Sequence, residues 1–198
     1  MIAHAGVTFR QSREQFVYIV QRPAIAIPLH VKSKLLDDWP AVVKEHQAMV
    51  YSIAWHYLHD RAVAEEVAQE VFFSLHRNLA SIQSASHAGF WLRRVTAQRA
   101  IDESRRRKRR PQVALVDVPE PAVPPLSTDP LLGDTLRRLV AALAETPRMV
   151  VILRYQEDMD PSEIADVLDM PLATVKSHLQ RSLALLREKL ARRGVGER

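Results

Sequence analysis

From about Leu35 onward, apolar residues recur at steps of three and four, the period of helices that bury one stripe. Trp39, Val42, Val43, His46, Val50, Ile53 and Ala54 predict a first helix running to Leu58. Asp60 to Leu79 predicts a second. Its buried stripe is Val63, Val67, Val71 and Leu75 beside Ala64 and Phe72, with Glu66, Gln69, Phe73 and Arg77 together on the far side. The small polar run Ala80 to His87 has loop chemistry. It leads into a third helix from Ala88 to about Arg107, anchored by Phe90, Trp91, Leu92, Val95 and Ile101.

Residues 111–130 interrupt this pattern with six of the chain's 12 prolines and no Lys or Arg, which predicts a stiff extended linker. Helical periodicity resumes near Leu131: Leu136, Leu139, Val140 and Leu143 form one helix, Pro147 opens the next, and Val150, Val151, Leu153 and Tyr155 continue the core to Gln156. Residues 1–34 show no helical period; a β-like run, Phe16 to Val20, precedes Pro23 and Pro28. A disordered tail, an added strand or an extension from a misassigned start all fit this segment, the tail best.

The stretch Asp160 to Leu190 reads as two helices joined by a tight turn. Asp160 suits an N-cap, Pro161 the first helical position, and Glu163 the reciprocal half of a capping box. Ile164, Ala165, Val167 and Leu168 give the first helix its apolar face. Asp169-Met170-Pro171 then ends it, because proline disfavours helical geometry in the residue before it. Beyond Pro171, Val175, Leu179, Leu183, Leu186 and Leu190 fall on one stripe, with Thr174, Ser177 and Arg181 opposite and Lys176, His178 and Gln180 flanking them. Donors and positive charge on that face match the acceptors and phosphates of a DNA groove, so the pair is a helix-turn-helix candidate. An ordinary helical hairpin with a basic solvated face fits the same pattern.

Composition narrows the possibilities. With 198 residues, 47% hydrophobic content and only 5 Gly, the chain suits a helical protein with one moderate core or two small ones, and the linker at 111–130 divides it into an all-α pair of small helical domains. The absence of cysteine excludes disulfides, thiolate metal sites and a cysteine nucleophile. No apolar run approaches the roughly 20 residues of a spanning helix, and Arg10, Arg13 and Glu14 stand where a secretory signal would be apolar. A cytoplasmic protein without membrane insertion is expected. Neither His-x-x-x-His nor Glu-x-x-His occurs at His46 or His56, and there is no phosphate loop or nucleophile motif, so no metal, no cofactor and no catalytic residue is expected.

The net charge of +5 is unevenly spread: +4 over residues 1–34, +3 over 35–110, −4 over 111–136 and +2 over 137–198. Six consecutive cations, Arg105 to Arg110, close the third helix. The helix dipole favours a few cations at a C-terminus but not six, and a polyanion partner accounts for them better than a solvated, fraying end. Phe73, ringed by acidic and polar residues, fits either an ordinary exposed aromatic or a protein-binding hot spot.

Together these features resemble the extracytoplasmic-function (ECF) group of sigma-70-type RNA polymerase sigma factors, over about residues 36–191. The resemblance rests on AVAEEVAQEVFFSLHRNL and FWLRRVTAQRAIDESRRRKRRP in the first module and on ETPRMVVILRYQEDMDPSEIADVLDMPLATVKSHLQRSLALLREKL in the second. It implies residues 1–34 as an extension, 35–110 as sigma domain 2, 111–130 as an acidic linker, 131–191 as sigma domain 4 and 192–198 as a tail. Asp169 stands where the family usually has Gly, and Asp tolerates a left-handed backbone better than most residues. Ala173 also replaces a frequent Gly.

The roles that follow are those the resemblance implies. Glu65, Glu66, Gln69, Glu70 and Phe73 would dock on the β′ clamp helices of core RNA polymerase, with the β flap as a further contact of the chain. Ser81, Gln83, Ser84 and Ser86 of the loop, with Arg93, Arg94, Gln98, Arg99, Arg105, Arg106 and Arg107, would open the minus-10 promoter region. Thr174, Lys176, Ser177, His178, Gln180 and Arg181 would read the minus-35 element. Asp117, Glu120 and Asp129 of the linker would occupy the positive path that later holds RNA. An anti-sigma factor is the expected regulator. A polymerase-independent helix-turn-helix regulator is the competing class, and it would want a ligand pocket or dimer helix in the first module.

Overall fold

The computed structural model describes residues 39–82, 84–109 and 130–193, and every regular element among them is helical. The expectations for residues 1–34 and 192–198 fall wholly or mainly outside these residues, as do those for Gln83, Arg110 and the linker up to Asp129. The chain divides into two compact units, residues 1–99 and 100–198.

In the first unit, α1 spans Trp39–Leu58 and α2 spans Arg61–Asn78, followed by a 3-10 turn at Leu79–Ser81 and by the start of α3, Ala85–Arg109, which belongs to this unit as far as Arg99. His59 ends α1 with a left-handed backbone (φ 53°), its N–H returning to Trp55 O at 2.9 Å. Asp60 then caps α2: its Oδ1 accepts from Val63 N at 3.1 Å. The core unites Val43, Val50 and Ala54 of α1, Val67, Val71, Phe72 and Leu75 of α2, and Ala88 and Leu92 of α3. Trp39 meets Phe72 edge-on, ring centroids 6.4 Å apart.

Two expectations for this unit are corrected. The third helix begins at Ala85 rather than Ala88, because Ser84 caps it: Ser84 Oγ accepts from His87 N at 3.1 Å and Ser84 O from Ala88 N at 2.9 Å. Its buried stripe is made of small residues, Ala88, Thr96, Ala97 and Ala100 beside Leu92, whereas Phe90, Trp91, Val95 and Ile101 are half-buried. Thr96 satisfies its hydroxyl by donating to Leu92 O at 2.6 Å. No residue of α3 beyond Ala100 is buried.

The second unit contains α4 (Pro130–Ala141), α5 (Glu145–Tyr155), α6 (Pro161–Leu168) and α7 (Leu172–Ala191). Leu139, Leu143, Val151 and Leu186 cluster with Val140 and Leu190, while Met149, Val150, Leu153, Ile164 and Val175 are also buried. Pro147 does not open α5, which starts two residues earlier at Glu145; proline is tolerated there because first-turn N–H groups have no helical partner. Leu136 and Tyr155 are exposed, at 41% and 55%, instead of lying in the core. Leu136 sits a turn before Leu139, where the cluster begins, and Tyr155 is the last residue of α5.

Side chains hold the connections of this unit. Arg148 donates to the carbonyls of Ala141 and Leu143, closing the end of α4. Arg154 Nη1 donates to Met159 O at 2.9 Å, fixing the approach to α6. Glu163 Oε2 accepts from Asp160 N at 2.7 Å, one half of the expected capping box. Asp169 takes the left-handed conformation (φ 53°, ψ 54°) and Met170 N returns to Ala165 O at 3.0 Å, so α6 turns into α7 within three residues.

Candidate functional site

The exposed side of α2 forms a groove of about 450 Å³. Glu66, Gln69, Glu70 and Phe73 line it in register, as residues three and four apart must on one helix face. Phe73 is 41% exposed, while its neighbour Phe72 is fully buried. Ser74 and Arg77 extend the wall, and Arg99 of α3 closes the groove from across the unit. Arg99 Nη1 lies 2.7 Å from Glu70 Oε2, and Nη2 donates to Ser74 Oγ at 3.1 Å. Glu65 does not line the groove; its carboxylate pairs with Arg61 Nε at 3.0 Å along the helix.

The place of Arg99 was not legible in the periodicity of α3 taken alone. It follows Leu92 by seven residues and lies beside the buried Ala100, at the edge of the stripe, where its exposed guanidinium reaches the flank of α2. Among the residues assigned to minus-10 contact, it therefore sits with the acidic set. Ser74 carries no sequence signal beyond lying one turn after Glu70.

Among the described residues after α2, Leu79–Ser81 form a 3-10 turn. Ser81 Oγ donates to Asn78 O at 2.7 Å, and the Ser84 and Ser86 hydroxyls are 2.9 Å apart. Ser81, Ser84 and Ser86 are all exposed, and Ser86 belongs to the first turn of α3. Arg93 folds back along α3 over Gly89: a Cβ at that position would stand 3.3 Å from Arg93 Nη1 and 3.4 Å from His46 Cε1. Gly89 and His46 thus shape the seat of Arg93, a role without a sequence signal. Burial holds the His46 pKa below its ordinary 6.5; nearby Glu45 opposes this and Arg93 adds to it. Arg94 is half-buried and Gln98 exposed. At the end of α3, Arg106 Nε pairs with Glu103 at 2.6 Å and Arg105 approaches Asp102 at 3.7 Å, while Arg107 is half-buried.

On α7, Val175 and Leu186 are buried and the opposite face is polar. Lys176, Gln180 and Arg181 are exposed, while Thr174, Ser177 and His178 are half-buried. Arg181 donates from Nε to Ser177 Oγ at 3.1 Å, one turn back, which orients its guanidinium along the face. Among the described residues no three His, Cys, Asp or Glu side chains gather as metal ligands, and no helix is long and apolar enough to cross a membrane.

A helix-turn-helix with a cationic outer face, and a separate helical unit with an acidic groove around an exposed aromatic, define the class of protein. The family described as Sigma-70 region 2 matches residues 42–110, and Sigma-70, region 4 matches residues 133–186, together more than half of the chain. The chain is 29% identical over 163 residues to the ECF RNA polymerase sigma factor SigE of Mycolicibacterium smegmatis, covering 79% of this chain and 63% of that protein. It is 27% identical over 179 residues to the ECF RNA polymerase sigma factor SigW of Bacillus subtilis, covering 81% and 92%. In fold it is similar to the sigma factor RpoE of Bartonella quintana, solved with the anti-sigma factor NepR, with a TM-score of 0.61 at 17% identity over 82% of this chain and 99% of that one. CnrH, solved with the cytosolic domain of CnrY, gives 0.58 at 18% identity over 79% and 89%. The chain belongs to the sigma-70 family and is a sigma factor of the ECF group, a DNA-binding protein of transcription initiation.

Proposed function

We propose that this sigma factor docks on core RNA polymerase through the α2 groove and directs initiation at promoters whose minus-10 and minus-35 elements it contacts with different units. The observation that carries the reading is Phe73, 41% exposed in a groove that it shares with Glu66 and Glu70. An aromatic anchor ringed by carboxylates suits a partner surface of arginines and apolar side chains, such as the β′ clamp helices. A polymerase-independent regulator has no need of it.

The turn bearing Ser81, Ser84 and Ser86, with Arg93, Arg94 and Gln98, is assigned to the minus-10 region. Strand opening needs a base taken out of the stack and held; hydroxyls can bond its edge while arginines hold phosphates. The unstacking cost, on the order of a few kcal/mol, is offset by these contacts, and no hydrolysis or cofactor enters. Arg105, Arg106 and Arg107 add phosphate contacts. The polar face of α7, with Lys176, Gln180 and Arg181 outermost, enters the major groove at minus-35. An anti-sigma factor is the proposed regulator, supported by the two similar structures, RpoE and CnrH, having been solved with NepR and CnrY.

Titrating labelled sigma factor with core polymerase tests the docking. Saturable, stoichiometric binding that Phe73→Ala or Glu66→Arg weakens more than tenfold is expected. Promoter binding by the chain alone, unaffected by core polymerase, would favour the independent regulator.

A further inference from the structure

The groove on α2 already holds a guanidinium, and it belongs to the chain itself. Arg99 offers two of its nitrogens in one plane, one to Glu70 at 2.7 Å and one to Ser74 at 3.1 Å, the forked arrangement that arginine uses for carboxylate and hydroxyl acceptors. The side chains of Arg99 and Glu70 are 44% and 50% exposed, so the pair is solvent-screened and readily exchanged. Glu66 and Glu70 are balanced in the groove by Arg77 and Arg99. A cationic partner meets net negative charge there only once Arg99 leaves. The exposed face of Phe73 in the same groove gives an incoming guanidinium a ring to cover, which Glu70 alone would not supply.

We propose that Arg99 is an internal stand-in for an arginine of the partner protein: docking places the partner's guanidinium on Glu70 beside Phe73 and displaces Arg99. This rests on the reading of the groove as the polymerase-docking surface and adds how that surface is regulated. Released from Glu70, Arg99 remains on α3, the helix that also carries Arg93, Arg94 and Gln98. Polymerase docking then leaves the Arg99 guanidinium unpaired with Glu70 on that helix.

Affinity for core polymerase, measured by fluorescence anisotropy for the full chain and for Arg99→Ala, Glu70→Gln, the double variant and Phe73→Ala, tests the exchange. Arg99→Ala should tighten binding by roughly two- to fivefold, the range an exposed ion pair supports, and the gain should shrink in high salt. In the Glu70→Gln background the same substitution should change nothing. Arg99→Gln repeats the test with a polar side chain that lacks the charge, and circular dichroism confirms that each variant is folded. Unchanged or weaker binding by Arg99→Ala, with Phe73→Ala still impaired, overturns the exchange and leaves the docking surface standing. Unchanged binding by Phe73→Ala removes the docking surface itself.

Discussion

Arg93 lies across Gly89, so close that a methyl group on residue 89 would stand 3.3 Å from its Nη1. Gly89 is a helical residue, where alanine is intrinsically better by about 1 kcal/mol. The glycine therefore gives up helix stability to leave room for an arginine assigned to promoter contact. Gly89→Ala should raise the unfolding free energy by up to about 1 kcal/mol in urea titrations while slowing promoter opening, because the guanidinium must shift by a few tenths of an ångström. A variant that gains stability and opens promoters as fast as the parent would show that the seat of Arg93 does not matter.

Adjacent phenylalanines separate stability from docking. Phe72 is fully buried in the first core, and Phe72→Ala should cost about 3–5 kcal/mol, enough to unfold a marginal unit. Phe73→Ala removes an exposed ring and should leave the thermal midpoint within about 2 °C, while core polymerase affinity falls more than tenfold. Equal losses of stability in the two variants would place Phe73 in the core.

His46 gives the first unit an acid-sensitive side. Burial lowers its native pKa, opposed by Glu45 and reinforced by Arg93. The unfolded chain therefore takes up a proton as pH falls through about 6.5, the ordinary value, before the native state does. Stability from this group is full above that pH and declines below it until the native imidazole also protonates. His46→Gln should flatten the dependence of the unfolding midpoint on pH between about 7 and 5, read by thermal melts at each pH. An unchanged slope would mean that His46 titrates normally.

Arg181 distinguishes base reading from phosphate anchoring at minus-35. Held by Ser177, its guanidinium extends along the exposed face of α7. Arg181→Ala should weaken holoenzyme binding by about 1–3 kcal/mol at promoters with one preferred base pair and leave other promoters little changed. A uniform loss across a minus-35 library, with a reduced salt slope, would make it a phosphate contact.

Much of this was legible in the chain. The helix-turn-helix boundaries follow from Asp160, Pro161 and Pro171, whose effects are local, and Asp169 takes the left-handed turn that its residue type permits. The stripe of α2 and the exposure of Phe73 follow from three-four spacing. What escaped depends on which neighbour covers a face. Leu136 and Tyr155 fit a helical stripe but lie past the ends of the packed cluster, and Glu65 lies beside the acidic face but turns to Arg61. Arg99 reads from the chain as one of the minus-10 cations, because periodicity within α3 does not reveal that α2 presents Glu70 opposite it. Ser84 was visible as a polar residue, but its cap on α3 competes with ordinary loop chemistry and only the backbone decides between them.

Transcription from a randomised promoter library by core polymerase reconstituted with the full chain tests the central claim most directly. Start sites are expected at a discrete set of promoters sharing a minus-35 and a minus-10 sequence, with loss of that set for Phe73→Ala at equal protein concentration. Core polymerase initiating no more selectively with the chain than without it would contradict the account.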